Sequence, residues 1–159
     1  MALSDQQAAA AFAAVARRYC RWADAPPGEP RTEILLARDL LATLQSSCLL
    51  LSEAAIGGDH ETVAVPQSHW EAVRSRFSIL PIDEYWEVYD PFSDEDPVIF
   101  SIRDSLADID RDLRQGLDLF DAGKVGEAAW HWRVLHGVHW GRQLLGAQRA
   151  IHAWLSRHE

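Results

Sequence analysis

All seven prolines of this chain lie at or before position 97, so its last third contains no residue that must break a helix. Ser101 with Asp104 marks a helix start there. Ile102, Leu106, Ile109, Leu113, Leu117 and Phe120 then form the cleanest amphipathic stripe in the chain. Gly123 stands where a left-handed cap would end this helix. A further helix begins near Val125 and can run to Arg157. At about 1.5 Å per residue it would be roughly 48 Å long. A compact chain of 159 residues has a radius of gyration of about 15 Å. The helix must therefore project or bend, and Gly137, Gly141 and Gly146 are the candidate bend points.

The prolines also divide the first half. Pro26, Pro27, Gly28 and Pro30 stop a helix that opens at Ser4, where Gln7 completes a capping box. Pro30 suits the first turn of a second helix. Its seam of Ile34, Ala37, Leu41, Leu44, Cys48 and Leu51 predicts the most buried helix of the fold, ended by Gly57-Gly58. Residues 57–67 read as a polar loop. Ser68 with Glu71 predicts a short third helix that carries Trp70, Val73 and Phe77 and ends before Pro81. The pattern predicts an all-α protein: a single domain over 1–159, folded as an irregular bundle of about five helices.

Residues 81–100 fit no helix. Pro81, Pro91 and Pro97 break them up, yet Tyr85, Trp86, Tyr89, Phe92 and Phe100 are too aromatic for a loose linker. They predict an ordered aromatic and acidic connecting segment lying across the helices, with a short helical turn or an extended piece around Tyr85–Tyr89.

Charge narrows the partners. The formal net charge is −9, which disfavours nucleic acid and anionic membrane as partners. No apolar run approaches the roughly 20 residues that cross a bilayer. The run from Ile34 to Ile56 is interrupted by Arg38, Asp39 and Glu53. Met-Ala-Leu-Ser-Asp-Gln-Gln at the start lacks the basic and apolar regions of a signal peptide, so a cytoplasmic protein is expected. Cys20 and Cys48 then read as small buried thiols. The charge is also segregated. Asp83 to Asp96 holds seven acids and no Lys or Arg. Residues 124–159 hold five Lys and Arg against two Glu, a net of 5 − 2 = +3, with five histidines besides. The acidic segment is expected to lie near the basic side of the last helix, with Asp90 or Glu87 opposite Arg142.

Three of the seven Trp and three of the seven His fall between Trp130 and Gly141. His136 and His139, an i, i+3 pair on one helical face, could share a metal if Asp104 or Asp108 of the preceding helix completed the site. The competing reading is structural: one histidine hydrogen-bonded in an interface and the other facing solvent. Asp104, Asp108 and Asp112 form an i, i+4, i+8 line opposite the leucine stripe and read chiefly as a solvated face with ion pairs. Gly137 and Gly141, four apart with no strand before them, suggest close helix approach rather than phosphate binding. The tryptophans of the last helix do not share one stripe; core packing is expected of each, and one left exposed would mark a binding surface.

Four blocks carry a family resemblance. They are Tyr85-Trp86-Glu87-Val88-Tyr89-Asp90-Pro91; Asp104 to Ile109 with Asp112-Leu113 and Gly116-Leu117; Ala122-Gly123 with Glu127 to Trp130 and Trp132; and His139-Trp140-Gly141. In this order the chain resembles an uncharacterised bacterial helical family, domain of unknown function 5063, over roughly residues 8–155. The resemblance implies a small, mainly helical soluble protein and carries over no catalytic residue, cofactor or partner.

No nucleophile–base set, metal motif or phosphate loop is present, and no cofactor is predicted. The leading expectation is a non-enzymatic binding or interaction protein, joined to a protein partner or to a second copy of itself. Its candidate surface comprises Tyr85, Trp86, Glu87, Tyr89, Asp90, Trp132, His136, His139 and Trp140. The alternative is a metal-binding protein or metal-assisted enzyme that uses His136, His139, Asp104 and Asp108.

Overall fold

The computed structural model describes residues 2–52 and 61–158. In chain order the elements are α1 (Asp5–Asp24), α2 (Pro30–Cys48), α3 (Gln67–Arg76), a 3₁₀ turn (Phe77–Ile79), β1 (Glu84–Glu87), β2 (Val98–Ser101), α4 (Ile102–Asp121), α5 (Val125–Leu135), a π-helical turn (His136–Trp140) and α6 (Gly141–Leu155). The fold is mostly α-helical with one small sheet. Because α5, the π turn and α6 run on without a break, the bundle has five helical columns among the described residues.

Local chemistry sets most boundaries. Ser4 and Gln7 exchange the two bonds of a capping box at 3.2 and 2.9 Å. Pro30 sits in the first turn of α2. Ser101 Oγ accepts from the Asp104 N–H at the start of α4. Gly123, at φ 81°, ends α4; the Lys124 N–H reaches back to the Leu119 carbonyl and that of Gly123 to Phe120. α3 departs from expectation: it starts at Gln67 behind Pro66, with no side-chain cap from Ser68. α2 ends at Cys48 rather than running on through Leu51, and Gly57-Gly58 lies outside the described residues.

The most enclosed helix is α4, not α2. It packs against α1, α3, α5, α6 and the sheet, so it buries polar positions as well as its leucine stripe. Trp132 and Trp140 of the final column are fully buried, with Phe12 of α1 at ring distances of 4.8 and 6.1 Å. Trp132 lies across the backbone of Gly116, where a Cβ would collide with the indole ring; the indole N–H donates to the Leu113 carbonyl at 3.2 Å. Both tryptophans therefore leave the candidate surface: Trp132 fills a slot that Gly116 opens in α4, and Trp140 packs on Phe12 and bonds the Trp132 carbonyl.

The final column bends its register instead of its axis being left free. The Gly141 N–H bonds the His136 carbonyl, an i→i−5 link, and a Cβ on Gly141 would meet that same oxygen. Glycine is thus the residue that lets the π turn close.

Residues 84–101 form a β-hairpin. β1 and β2 pair antiparallel, Tyr85 opposite Phe100 and Trp86 opposite Ile99. The expected extended piece is present, and the second strand comes from Val98-Ile99-Phe100, an apolar run that directly precedes the Ser101 cap. Elsewhere a buried carboxylate ties the turn between α1 and α2 to α3. Glu33 accepts from Trp22 Nε1, the Gly28 N–H and Arg76 at 2.7, 2.8 and 2.6 Å.

Gly116→Ala must push Trp132 out of its slot. It is expected to cost about 3 kcal/mol and lower Tm by several degrees, read by calorimetry. Gly141→Ala should act similarly, while Gly137→Ala, which meets open space, should leave Tm unchanged or raise it.

Candidate functional site

The hairpin is clamped to α6 by its inner face. Neighbours across an antiparallel pair share a face, so Tyr85 with Phe100 and Glu87 with Val98 point one way, Trp86 with Ile99 the other. The rings of Tyr85 and Phe100 pack 5.9 Å apart, tilted by 30°. Arg142 of α6 inserts its guanidinium between the rings of Tyr89 and Phe100, 4.7 Å from each, and lies 3.6 Å from Glu87. Gly146 lets the hairpin sit low: a Cβ there would stand 2.7 Å from a Glu87 carboxylate oxygen and 2.8 Å from the Tyr85 hydroxyl. The acidic segment thus meets the basic side of the last column through Glu87. Asp90 turns inward on its own loop and accepts from the Phe92 N–H at 2.9 Å.

The outer face is solvated. Trp86 is 70% exposed, Ile99 48% and Phe92, at the hairpin tip, 98%, with Tyr89 exposed beside them. Ile99 and Phe92 escaped the candidate surface above. The signal for Ile99 is the strand-like Val98-Ile99-Phe100 run, whose middle residue must face opposite to its neighbours.

The histidine pair is not brought together. A π turn holds more residues than an α turn, so the i, i+3 facing of His136 and His139 is lost. His136 turns to α2, where its Nε2 meets Gln45 Oε1 at 2.7 Å and its Nδ1 lies 3.4 Å from Arg133. The neutral ring that serves both contacts carries its proton on Nε2. Burial, then the neighbouring Arg133, pushes its pKa below the ordinary histidine value. His139 turns to α4, and its Nδ1 bonds buried Asp112. Burial lifts the Asp112 carboxyl above the usual range, against the lowering effect of His139.

Nor do Asp104 and Asp108 face the histidines. Asp104 pairs with Arg74. Asp108 accepts from Trp70 Nε1, Arg111 and Gln143 Nε2 at 2.8, 2.8 and 2.6 Å. Asp104 keeps the half-exposed ion pair expected of a solvated face, whereas Asp108 and Asp112 are interhelical ties, because α4 is enclosed by neighbours there. Among the described residues no three His, Cys, Asp or Glu side chains converge as metal ligands. Asp110, 1% exposed and not singled out above, bonds His69 and Arg114 at 3.2 and 2.8 Å. Cys20 and Cys48 are buried free thiols; burial raises both, Cys48 to about 12.

Two measurements follow from these contacts. His136 has a depressed folded pKa, so its contribution to stability is present above the unfolded value of about 6.5 and is lost as pH falls below it. The Tm difference between the wild type and His136→Gln should therefore shift in favour of the variant between pH 7 and 5; a constant difference refutes the assignment. In a double-mutant cycle, Glu87 and Arg142 should couple by about 0.2–1 kcal/mol at low salt, and Asp90 with Arg142 not at all.

Known proteins share this architecture. The crystal structure of protein BF1032 from Bacteroides fragilis is similar, with a TM-score of 0.75 at 21% identity over 89% of this chain and 87% of that one. At such identity the likeness shows the fold alone. No curated protein matches the sequence. The family described as Domain of unknown function (DUF5063) matches residues 4–157, and the chain belongs to it.

Proposed function

We propose that this chain is a non-enzymatic binding protein that offers the outer face of its hairpin to a protein partner. The supporting observation is the pair Trp86 and Ile99, opposite each other and solvated on a sheet whose inner face is held by α6. Burial of this exposed aromatic–aliphatic pair releases about 25 cal/mol per Å² of apolar area. Phe92, at the hairpin tip, extends the exposed aromatic surface. Aromatic anchors of this kind dominate the energetics of protein interfaces. The seven acids between Asp83 and Asp96 steer the encounter and set its orientation. They also favour a heterologous partner over a second copy, since two such faces meeting would bring like charges together. We place the protein in the cytoplasm because its two buried cysteines are free.

The alternative, a metal-assisted enzyme on His136, His139, Asp104 and Asp108, has less support. His136 uses both ring nitrogens on Gln45 and Arg133, and each aspartate is engaged elsewhere.

Capture from cell lysate by the wild type and by a Trp86→Ser/Phe92→Ser variant tests the proposal. A protein retained by the wild type should be lost by the variant, whose Tm and far-UV spectrum stay unchanged because neither side chain is part of the core. Equal capture by both would sink it.

A further inference from the structure

The inner face of the hairpin shows what its side chains hold. There the Arg142 guanidinium lies 4.7 Å from the Tyr89 and Phe100 rings, with the Glu87 carboxylate 3.6 Å away. A ring offers a cation its negative face and a carboxylate offers a full charge, so a guanidinium satisfies both. On this side α6 supplies the cation from within the chain. The outer face repeats the ring and the carboxylate. Side chains two apart on a strand share a face at roughly 7 Å, so Glu84 stands beside Trp86, with Ile99 opposite the indole. All three are exposed, and residues 77–102 contain no Lys or Arg to meet them.

Charge selects what can cover this apolar face. Of the seven acids from Asp83 to Asp96, Asp83 lies 3.8 Å from Arg103 and Glu87 lies against Arg142. The other five, Glu84, Asp90, Asp94, Glu95 and Asp96, are exposed and make no ion pair among the described residues. Four of them flank Phe92 at the tip. Opposing them, Arg149 and Arg157 of α6 line the clefts between that helix and the hairpin. Two guanidinium groups against five free carboxylates leave this region negative. The excess lies on the far side from α6, because Phe92, Asp94, Glu95, Asp96 and Ile99 line neither cleft.

We infer that the outer face takes a basic segment of a partner protein. An Arg or Lys of that segment lies over the Trp86 ring beside Glu84, an apolar side chain packs on Ile99, and further cations meet the acids around Phe92. This rests on the interaction reading above and names the partner's chemistry. Contact with the apolar pair holds the segment, and charge brings it in and sets its direction. An acidic segment would meet repulsion from the same five carboxylates.

Panning a random dodecapeptide phage library on the immobilised chain tests it. The enriched peptides should carry Arg or Lys next to an aromatic or aliphatic residue, and their binding should weaken as salt is raised. A Glu84→Gln/Asp94→Asn/Glu95→Gln/Asp96→Asn variant should bind them on the order of tenfold more weakly, and a Trp86→Ser variant at least as weakly. Both variants should keep the wild-type Tm, since every substituted side chain is exposed. Asp90 is left in place because it accepts from the Phe92 N–H. No enrichment, enrichment without basic residues, or equal binding by the neutralised variant would overturn the inference. Full retention of basic peptides by Trp86→Ser would also overturn it, as attraction by net charge alone. So would a concentration-dependent dimer abolished by the neutralised variant, which would assign the face to the basic final column of a second copy. Peptides lost by Trp86→Ser but kept by the neutralised variant would refute a basic partner and leave the parent reading standing; that reading fails on equal lysate capture by the Trp86/Phe92 variant.

Discussion

A carboxylate enters a protein interior only with partners, and α4 carries three of them inward. Asp110 and Asp112 are buried and Asp108 half-buried because α4 is packed by helices on several sides, and an unpaired charge at either buried site would cost several kcal/mol. Neighbouring elements are therefore obliged to supply donors: Trp70 and His69 from α3, Arg111 and Arg114 from α4 itself, His139 and Gln143 from the final column. These bonds set how α3 and the final column sit against α4. Breaking one partner leaves a buried charge exposed to the low dielectric, so the network enforces a single arrangement more than it adds net stability.

The π turn is the second consequence of that packing. Trp132 on α5 and Trp140 at the end of the turn both have to face Phe12, eight residues apart on one column. The turn shifts the register between them, and Trp140 Nε1 donates to the Trp132 carbonyl at 3.1 Å. The same shift separates His136 from His139 and delivers each to a different helix. A pair that α-helical spacing places on one face is thereby divided into two structural contacts, one with α2 and one with α4.

The hairpin stands apart from this interior. It is held by Arg142 against two rings, by contact at Gly146 and by Tyr85, which packs half-buried on the edge of the core. Its outer side is left to solvent, carrying the chain's most exposed large aromatic side chains among the described residues. The division is physical: the core is closed by buried tryptophans and satisfied carboxylates, whereas the hairpin's outer face has contacts still to make.

The five helical columns were legible because they depend on near neighbours in sequence. The capping box at Ser4, Pro30, the Ser101 cap and Gly123 act over one turn, and the stripe from Ile102 to Phe120 declares its own buried face. The family blocks, too, could be read directly. Charge segregation foretold that the acidic segment would meet Arg142, although Glu87 rather than Asp90 makes the contact. What one-dimensional spacing could not decide is everything that requires a partner from elsewhere. Whether Asp112 is solvated depends on α4 being surrounded. Whether Trp132 is exposed depends on a slot at Gly116, 16 residues away. Whether His136 faces His139 depends on one i→i−5 bond. Burial and register are properties of the assembled helices, so the sequence by itself determined the helices and their charge, and the tertiary structure decided the hairpin pairing, the π turn and which side chains remain available to a partner.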